Sequence, residues 1–164
     1  MVESKDIRFE FVKRTREILD SCPSDDQDIV TKLLNFSFGL IVFPREQIHY
    51  MKWPKYTFDS EDRKYGFTKS TIQYLNAEKP NYNLSSVVKN IRDGLFHGYI
   101  DYEYRNGEIV NLIIENRNSK NKPIKFRLVC SIDEFRLFVM QVSEDYLSIY
   151  KKLKKILIIK NKSL

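Results

Sequence analysis

The sequence predicts a mainly α-helical bundle with a small three-stranded antiparallel sheet inserted before its last long helix, and three observations carry that expectation. Apolar residues recur at helical spacing in four stretches. The period falls to two on both sides of an Asn106-Gly107 turn signal. Ser131 with Glu134 three residues later forms a capping pattern that opens a final helical stretch running into a lysine-rich end.

Taken in order, Ile7, Phe11, Ile18 and Leu19, with Arg and Glu between them, predict a helix over residues 5–20 that Pro23 stops. Ser24, Asp25 and Asp26 offer N-caps for a second helix. Its apolar residues, from Ile29, Val30 and Leu33 through Phe38, Leu40 and Phe43, lie on so many sides that it is expected to be central, and it ends before Pro44. Residues 45–80 predict mostly loop, with a short helix over residues 69–76 carrying Ile72 and Leu75. Asn83 caps a third helix over residues 84–97, on which Leu84, Val87, Val88, Ile91 and Leu95 make one core-facing stripe and Gly98 suits the position just past the end. Ile100, Tyr102 and Tyr104 then alternate with polar residues, as do Val110, Leu112 and Ile114 after the turn, and Ile124, Phe126, Leu128 and Cys130 after a loop. The last helix carries Phe135, Phe138, Val139, Val142, Tyr146, Ile149 and Leu153.

At 164 residues, with 42% hydrophobic and 13% aromatic content, the chain suits one domain over residues 1–164 that buries roughly 70% of its unfolded surface. Disordered, collagenous and disulfide-stapled classes are excluded. No stretch approaches the roughly 20 consecutive apolar residues that span a bilayer. The N-terminus carries charges of both signs where a secretory signal needs an apolar run, so a cytoplasmic protein is expected. Cys22 and Cys130 have no Cys or His at ligand spacing and read as buried thiols. Residues 151–164 hold six lysines and no acid; these account for the whole net charge of +6, leaving residues 1–150 neutral. This basic tail is either a contact for phosphates or anionic lipid, or the solvated end of a helix.

Any mechanism needing an imidazole must use His49 or His97, the only histidines. No nucleophile elbow, Gly-rich phosphate loop, His-Glu pair or carboxylate cluster at metal-ligand spacing occurs, which argues against acyl transfer, P-loop hydrolysis and zinc chemistry. One constellation remains, at the end of the third helix: Arg92-Asp93-Gly94-Leu95-Phe96-His97-Gly98. In a regular helix Arg92 and His97 are separated by about 7.5 Å of rise and roughly 140° of rotation, so their meeting needs the helix to loosen at Gly94 and end at Gly98. Arg92 brings a permanently charged planar fork suited to phosphate oxygens, and His97 a group that titrates near neutrality. The negative end of the helix dipole favours the imidazolium by a few tenths to about 1 kcal/mol, which suits a general acid. The alternative is a surface arginine and a capping histidine. His49 lies in Gln47-Ile48-His49-Tyr50-Met51-Lys52-Trp53, whose basic and aromatic residues either stack on unpaired bases or plug the end of the bundle.

The stretch Val87-Val88-Lys89-Asn90-Ile91-Arg92-Asp93-Gly94-Leu95-Phe96-His97-Gly98 resembles the Arg-polar-x-x-x-His signature of the HEPN superfamily, the higher eukaryotes and prokaryotes nucleotide-binding proteins. Leu33-Leu34-Asn35-Phe36-Ser37-Phe38-Gly39-Leu40-Ile41-Val42-Phe43-Pro44 is similar to a helix of a plasmid-associated bacterial branch in which a β-hairpin region also follows the histidine. The resemblance implies a helical bundle that dimerises, bringing two Arg/His sets into one cleft. It also implies a metal-independent endoribonuclease without cofactor, acting in bacterial defence or as a toxin with a cognate antitoxin. In those terms Arg92 stabilises the phosphorane, His97 assists proton transfer as the ribose 2′-hydroxyl attacks, and Asp93 holds the polar position more often occupied by Asn. Lys52, Trp53, Lys55 and Lys89 are the candidate RNA contacts. Some members are catalytically silent, so the competing expectation is a module that holds RNA, a nucleotide or a partner protein.

Overall fold

The computed structural model describes residues 7–23, 28–42, 53–58, 62–75, 79–117 and 123–162. By its internal contacts the chain divides into two compact units, residues Met1–Trp53 with Met140–Leu164, and residues Pro54–Val139.

The first unit contains helix α1, Ile7–Ser21, helix α2, Ile29–Ser37, and the π-helical turn Phe38–Val42 that continues α2. The second half of the last helix belongs to it as well. Helix α1 buries Leu19 as expected, but its other buried residues differ from the expected ones. Val12, Thr15 and Leu19 are buried at positions i, i+3 and i+7, whereas Ile7, Phe11 and Ile18 are exposed. The polar Thr15 is admitted because its γ-methyl packs toward Gly39 in the π turn. The expected caps Ser24, Asp25 and Asp26 lie outside the described residues, and Asp28 occupies the N-cap position of α2. Phe43 and Pro44 also lie outside them.

The second unit is built on a four-stranded sheet, which corrects the expected count of three and makes the architecture mixed α and β rather than mainly α. Its strands are β1, Ile72–Tyr74, β2, Ile100–Arg105, β3, Glu108–Arg117, and β4, Ile124–Cys130, in the order β1-β4-β3-β2 with every neighbour antiparallel. The added strand falls where a short helix over residues 69–76 was expected; a single 3-10 turn, Lys69–Thr71, leads into it instead. Ile72 and Leu75 fit a helical spacing, but Ile72-Gln73-Tyr74 equally alternates, and pairing Ile72 with Leu128 and Tyr74 with Phe126 covers what would be the open edge of β4. All four strands precede the last helix, as expected, but β1 also precedes helix α3, Leu84–Phe96, so that helix interrupts the run of strands.

The expected α3 stripe, hairpin turn and capping box of this unit hold. The stripe Leu84, Val87, Val88, Ile91 and Leu95 is buried. The hairpin turns through Asn106 at φ 53° and Gly107 at φ 84°, both left-handed as a tight two-residue turn requires. Helix α4, Ile132–Lys162, opens with the capping box: Glu134 N–H donates to Ser131 Oγ at 3.2 Å, and Ser131 N–H donates to Glu134 Oε2 at 2.9 Å. Residues 53–58 and 62–75 are more than loop. Phe58, Tyr65 and Phe67 are buried, and Phe67 stacks on Phe138 with centroids 4.6 Å apart. Cys130 is buried as expected, but Cys22 is only half-buried. Lys151, Lys152, Lys154 and Lys155 stand exposed on α4.

Candidate active site at the end of helix α3

Helix α3 is fixed at both ends. At its start Asn83 Oδ1 accepts the N–H of Ser86 at 2.8 Å. Phe58 N–H donates to Tyr82 O and Leu84 N–H to Tyr56 O, each at 2.9 Å, pinning the entry to residues 56–58. Burial raises the Tyr74 phenol above its usual range, against the hydrogen bonds it makes with Ser86 and Asn90, so that hydroxyl stays protonated beside the first turns.

The other end is a Schellman motif. His97 is the C-cap residue and Gly98 adopts φ +68°; Gly98 N–H donates to Leu95 O at 3.1 Å and Tyr99 N–H to Gly94 O at 2.9 Å. The left-handed Gly98 reverses the chain, and Tyr99 joins the sheet at once, its carbonyl accepting Glu115 N–H at 2.9 Å. His97 is thereby freed from helical direction and stands exposed at the exit.

Gly94 has a different purpose. A β-carbon there would lie 2.6 Å from Ile114 Cγ2 and closer still to the carbonyl oxygen of Glu115, so α3 crosses β3 in backbone contact at this residue. That crossing sets Arg92 and Asp93 against the end of β3. The Arg92 guanidinium pairs with Asp93 Oδ1, and Asp93 Oδ2 accepts from Asn116 Nδ2 at 3.4 Å. The same Asn116 amide donates to Asn90 Oδ1 at 2.8 Å, and Asn90 Nδ2 donates to Ser86 O at 2.9 Å. Asn116 is 1% exposed, so this relay is shielded from water. Arg92 and Asp93 each expose 17% of their side chains, and Arg92 Nε is buried with no hydrogen-bond partner.

The Asp93 carboxylate takes Arg92, while its main-chain carbonyl accepts His97 N–H at 3.1 Å. Among the described residues no hydrogen bond or ion pair joins Arg92 to His97. The imidazole instead lies edge-on to Phe96, with centroids 5.2 Å apart, and stacks on Tyr99 at 5.7 Å and 29°. Lys89 is exposed on α3, Lys55 is exposed, Trp53 is half-buried, and Lys52 and His49 lie outside the described residues. Among the described residues no group of three or more His, Cys, Asp or Glu side chains is placed to hold a metal ion.

Sequence reasoning missed Asn90, Tyr99, Glu115, Asn116, Arg117 and Arg127. The Arg117 guanidinium carbon lies 5.5 Å from the centroid of the Tyr99 ring. Glu115 accepts from Arg127 Nε at 2.8 Å and pairs with Arg127 Nη2 at 2.6 Å and with Arg117 Nη2. Burial raises its carboxyl, but the two guanidiniums outweigh burial and hold it below the usual carboxylate range. Glu115 and Arg117 lie two residues apart on β3, and Arg127 joins them only through strand register, opposite Glu115, so the cluster is not marked in the local sequence.

Arg92 and His97, five positions apart at this backbone-capped helix exit, keep the spacing by which the sequence resembles the HEPN class. The family model HEPN pEK499 p136 matches residues 1–153, and the chain belongs to that family. Membership places it among nucleotide-binding or ribonuclease-like modules. No curated protein and no solved structure matches the chain. Among the described residues no helix is long and apolar enough to cross a membrane.

Proposed function

We propose that the chain is a metal-independent endoribonuclease that works as a homodimer on single-stranded or loop RNA, in a bacterial defence or toxin–antitoxin setting. The observation that carries the reading is the exit of α3, where an accessible imidazole and a guanidinium fixed by Asp93 flank one helix end. The ribose 2′-hydroxyl attacks the adjacent phosphorus, and the P–O5′ bond breaks to leave a 2′,3′-cyclic phosphate and a 5′-hydroxyl. His97 moves a proton between those oxygens, and the N–H groups of Arg92 not spent on Asp93 stabilise the charge that builds on the non-bridging oxygens. Dimerisation, common among HEPN domains, puts two such sets in one cleft. RNA incubated in EDTA tests this. Wild type should cut to a cyclic phosphate, and His97→Ala and Arg92→Gln should not. Equal cutting by His97→Ala removes the assignment of the imidazole, and wild-type cutting that stops in EDTA removes the metal-free mechanism.

A second reading, a silent module that only holds RNA, a nucleotide or a partner, is favoured by the Arg92–Asp93 pair, because a guanidinium already paired with a carboxylate attracts phosphate less. RNA binding with a steep salt slope and no product in any buffer would select it.

A further inference from the structure

We propose that Arg117 and Arg127, gathered about Glu115 beside Tyr99, form a second phosphate-binding subsite that holds a phosphodiester of the same RNA strand next to the linkage at Arg92 and His97. The proposal rests on the RNA-directed reading of Arg92 and His97 and extends it to a part of the sheet that the family signature does not include.

Three observations converge on this cluster. One is charge. A single guanidinium neutralises a single carboxylate, and here two surround one, leaving a surplus positive charge that nothing in the cluster cancels. Another is accessibility. Glu115 exposes only 10% of its side chain, while Arg117 exposes 32% and Arg127 38%, so the carboxylate lies beneath and the donors face solvent. Each guanidinium has five N–H donors in a planar fork, and Glu115 occupies two of Arg127 and one of Arg117. Arg117 Nε is buried without a partner, so the Nη hydrogens left on the two forks are the ones that can grip phosphate oxygens bidentately. The last is position. Asn116 turns its amide toward Asn90 and Asp93 of α3, whereas its neighbours Glu115 and Arg117 meet each other and Arg127. The Tyr99 ring touches both the Arg117 guanidinium and the His97 imidazole. A strand leaving His97 needs to pass only one ring to reach Arg117. Glu115 fixes the two forks in place and spares the ligand the entropy of ordering two long side chains.

The test uses full-length protein and a 2′-O-methyl oligouridylate of eight nucleotides, which cannot be cut, titrated across salt. Each arginine that holds a phosphate contributes about 0.7 to the slope of log affinity against log salt. Arg117→Gln and Arg127→Gln should each lower the slope by that amount. Between 50 and 200 mM salt, wild-type affinity should then fall about 2.6-fold more than that of either variant. A dinucleotide with one phosphodiester should not distinguish wild type from the variants. Glu115→Gln keeps an acceptor oxygen that holds the forks but removes the negative charge, so it should act in the opposite direction, tightening the eight-mer and steepening its slope, an effect that a purely structural ion pair cannot give. Variants that keep the wild-type melting profile yet show unchanged affinity and slope overturn the subsite, as does weaker binding by Glu115→Gln. Wild type that binds no oligonucleotide at any salt, while an acidic protein partner binds at these arginines, overturns it too. Binding that depends on both arginines without any cleavage of ordinary RNA sinks the nuclease and leaves the subsite standing.

Discussion

Gly94→Ala tests the helix–strand crossing on which the whole site rests. Two opposed effects act at that position. Alanine is the better helix former by about 0.8–1.0 kcal/mol, and in an open helix the substitution would stabilise by that amount. Against it, the new methyl would stand 2.6 Å from Ile114 Cγ2 and 3.2 Å from the Glu115 carbonyl carbon, with the carbonyl oxygen nearer still. Ordinary contact begins near 3.4 Å. Helix and strand must therefore part by about 1 Å, and the obstacle includes backbone of a paired strand rather than a free side chain. Overpacking of this kind costs about 1–3 kcal/mol, and a backbone obstacle puts it in the upper half of that range, so the net change should be a destabilisation of about 1–2 kcal/mol, or a melting temperature lower by about 2–8 °C for a chain of this size. The same displacement stretches the 3.4 Å link from Asn116 to Asp93, which is already long, and loosens the carboxylate that holds Arg92. Misplacement by about 1 Å lowers turnover by roughly 100-fold. Thermal denaturation with RNA cleavage in EDTA reads both effects. An alanine variant that melts at or above the wild-type temperature with unchanged turnover would refute the close approach, and with it the account of how Arg92 is placed.

Asn116→Leu removes the donor shared by Asn90 and Asp93; it should lower turnover by about 10- to 100-fold. In an Asp93→Asn background the same change should have little further effect on turnover, and full additivity in that double-mutant cycle would show that Asn116 does not act through Asp93. Glu115 has a depressed folded-state pKa, so its stabilisation is fully present above the unfolded value and is lost as pH falls through the folded one. Melting temperature against pH should accordingly decline on the acid side in wild type more steeply than in Glu115→Gln, and parallel profiles would contradict the ion cluster. Burial pushes the Cys130 thiol up, so in native protein a thiol reagent should label half-buried Cys22 first and reach Cys130 only on unfolding; native labelling of both at one rate would show that the strand end opens.

The parts legible in the sequence were those whose signals are local. The cap at Asn83, the stripe from Leu84 to Leu95, the Gly98 terminator, the Asn106-Gly107 turn and the Ser131–Glu134 box each lie within a dozen residues of chain, and periodicity reads that scale. Two features escaped because their cause is distant. Strand β1 has three residues, and its identity is decided by the edge of β4, more than 50 positions away. On α1 Leu19 is buried as expected, but the hydrophobic tally also favoured Phe11 and Ile18, whereas burial went to Val12 and Thr15. A composition-based stripe cannot register that a threonine methyl fits beneath a turn whose glycine has no side chain.

The site divides along the same line, and the division bears on mechanism. The motif residues were found from sequence, yet taken alone they are electrostatically poor: Arg92 is paired with Asp93. Strand register alters the balance by setting Arg127 opposite Glu115 and bringing Arg117 against Tyr99, which supplies a surplus cation within one ring of the imidazole. Cations at such distance steer and hold a polyanion, whereas stabilising a phosphorane requires donors in contact with its oxygens. On the proposed reading, attraction and chemistry fall to different arginines on opposite sides of β3. Charge changes at Arg117 or Arg127 should therefore act on affinity for RNA, and changes at Asp93, which governs Arg92, on turnover.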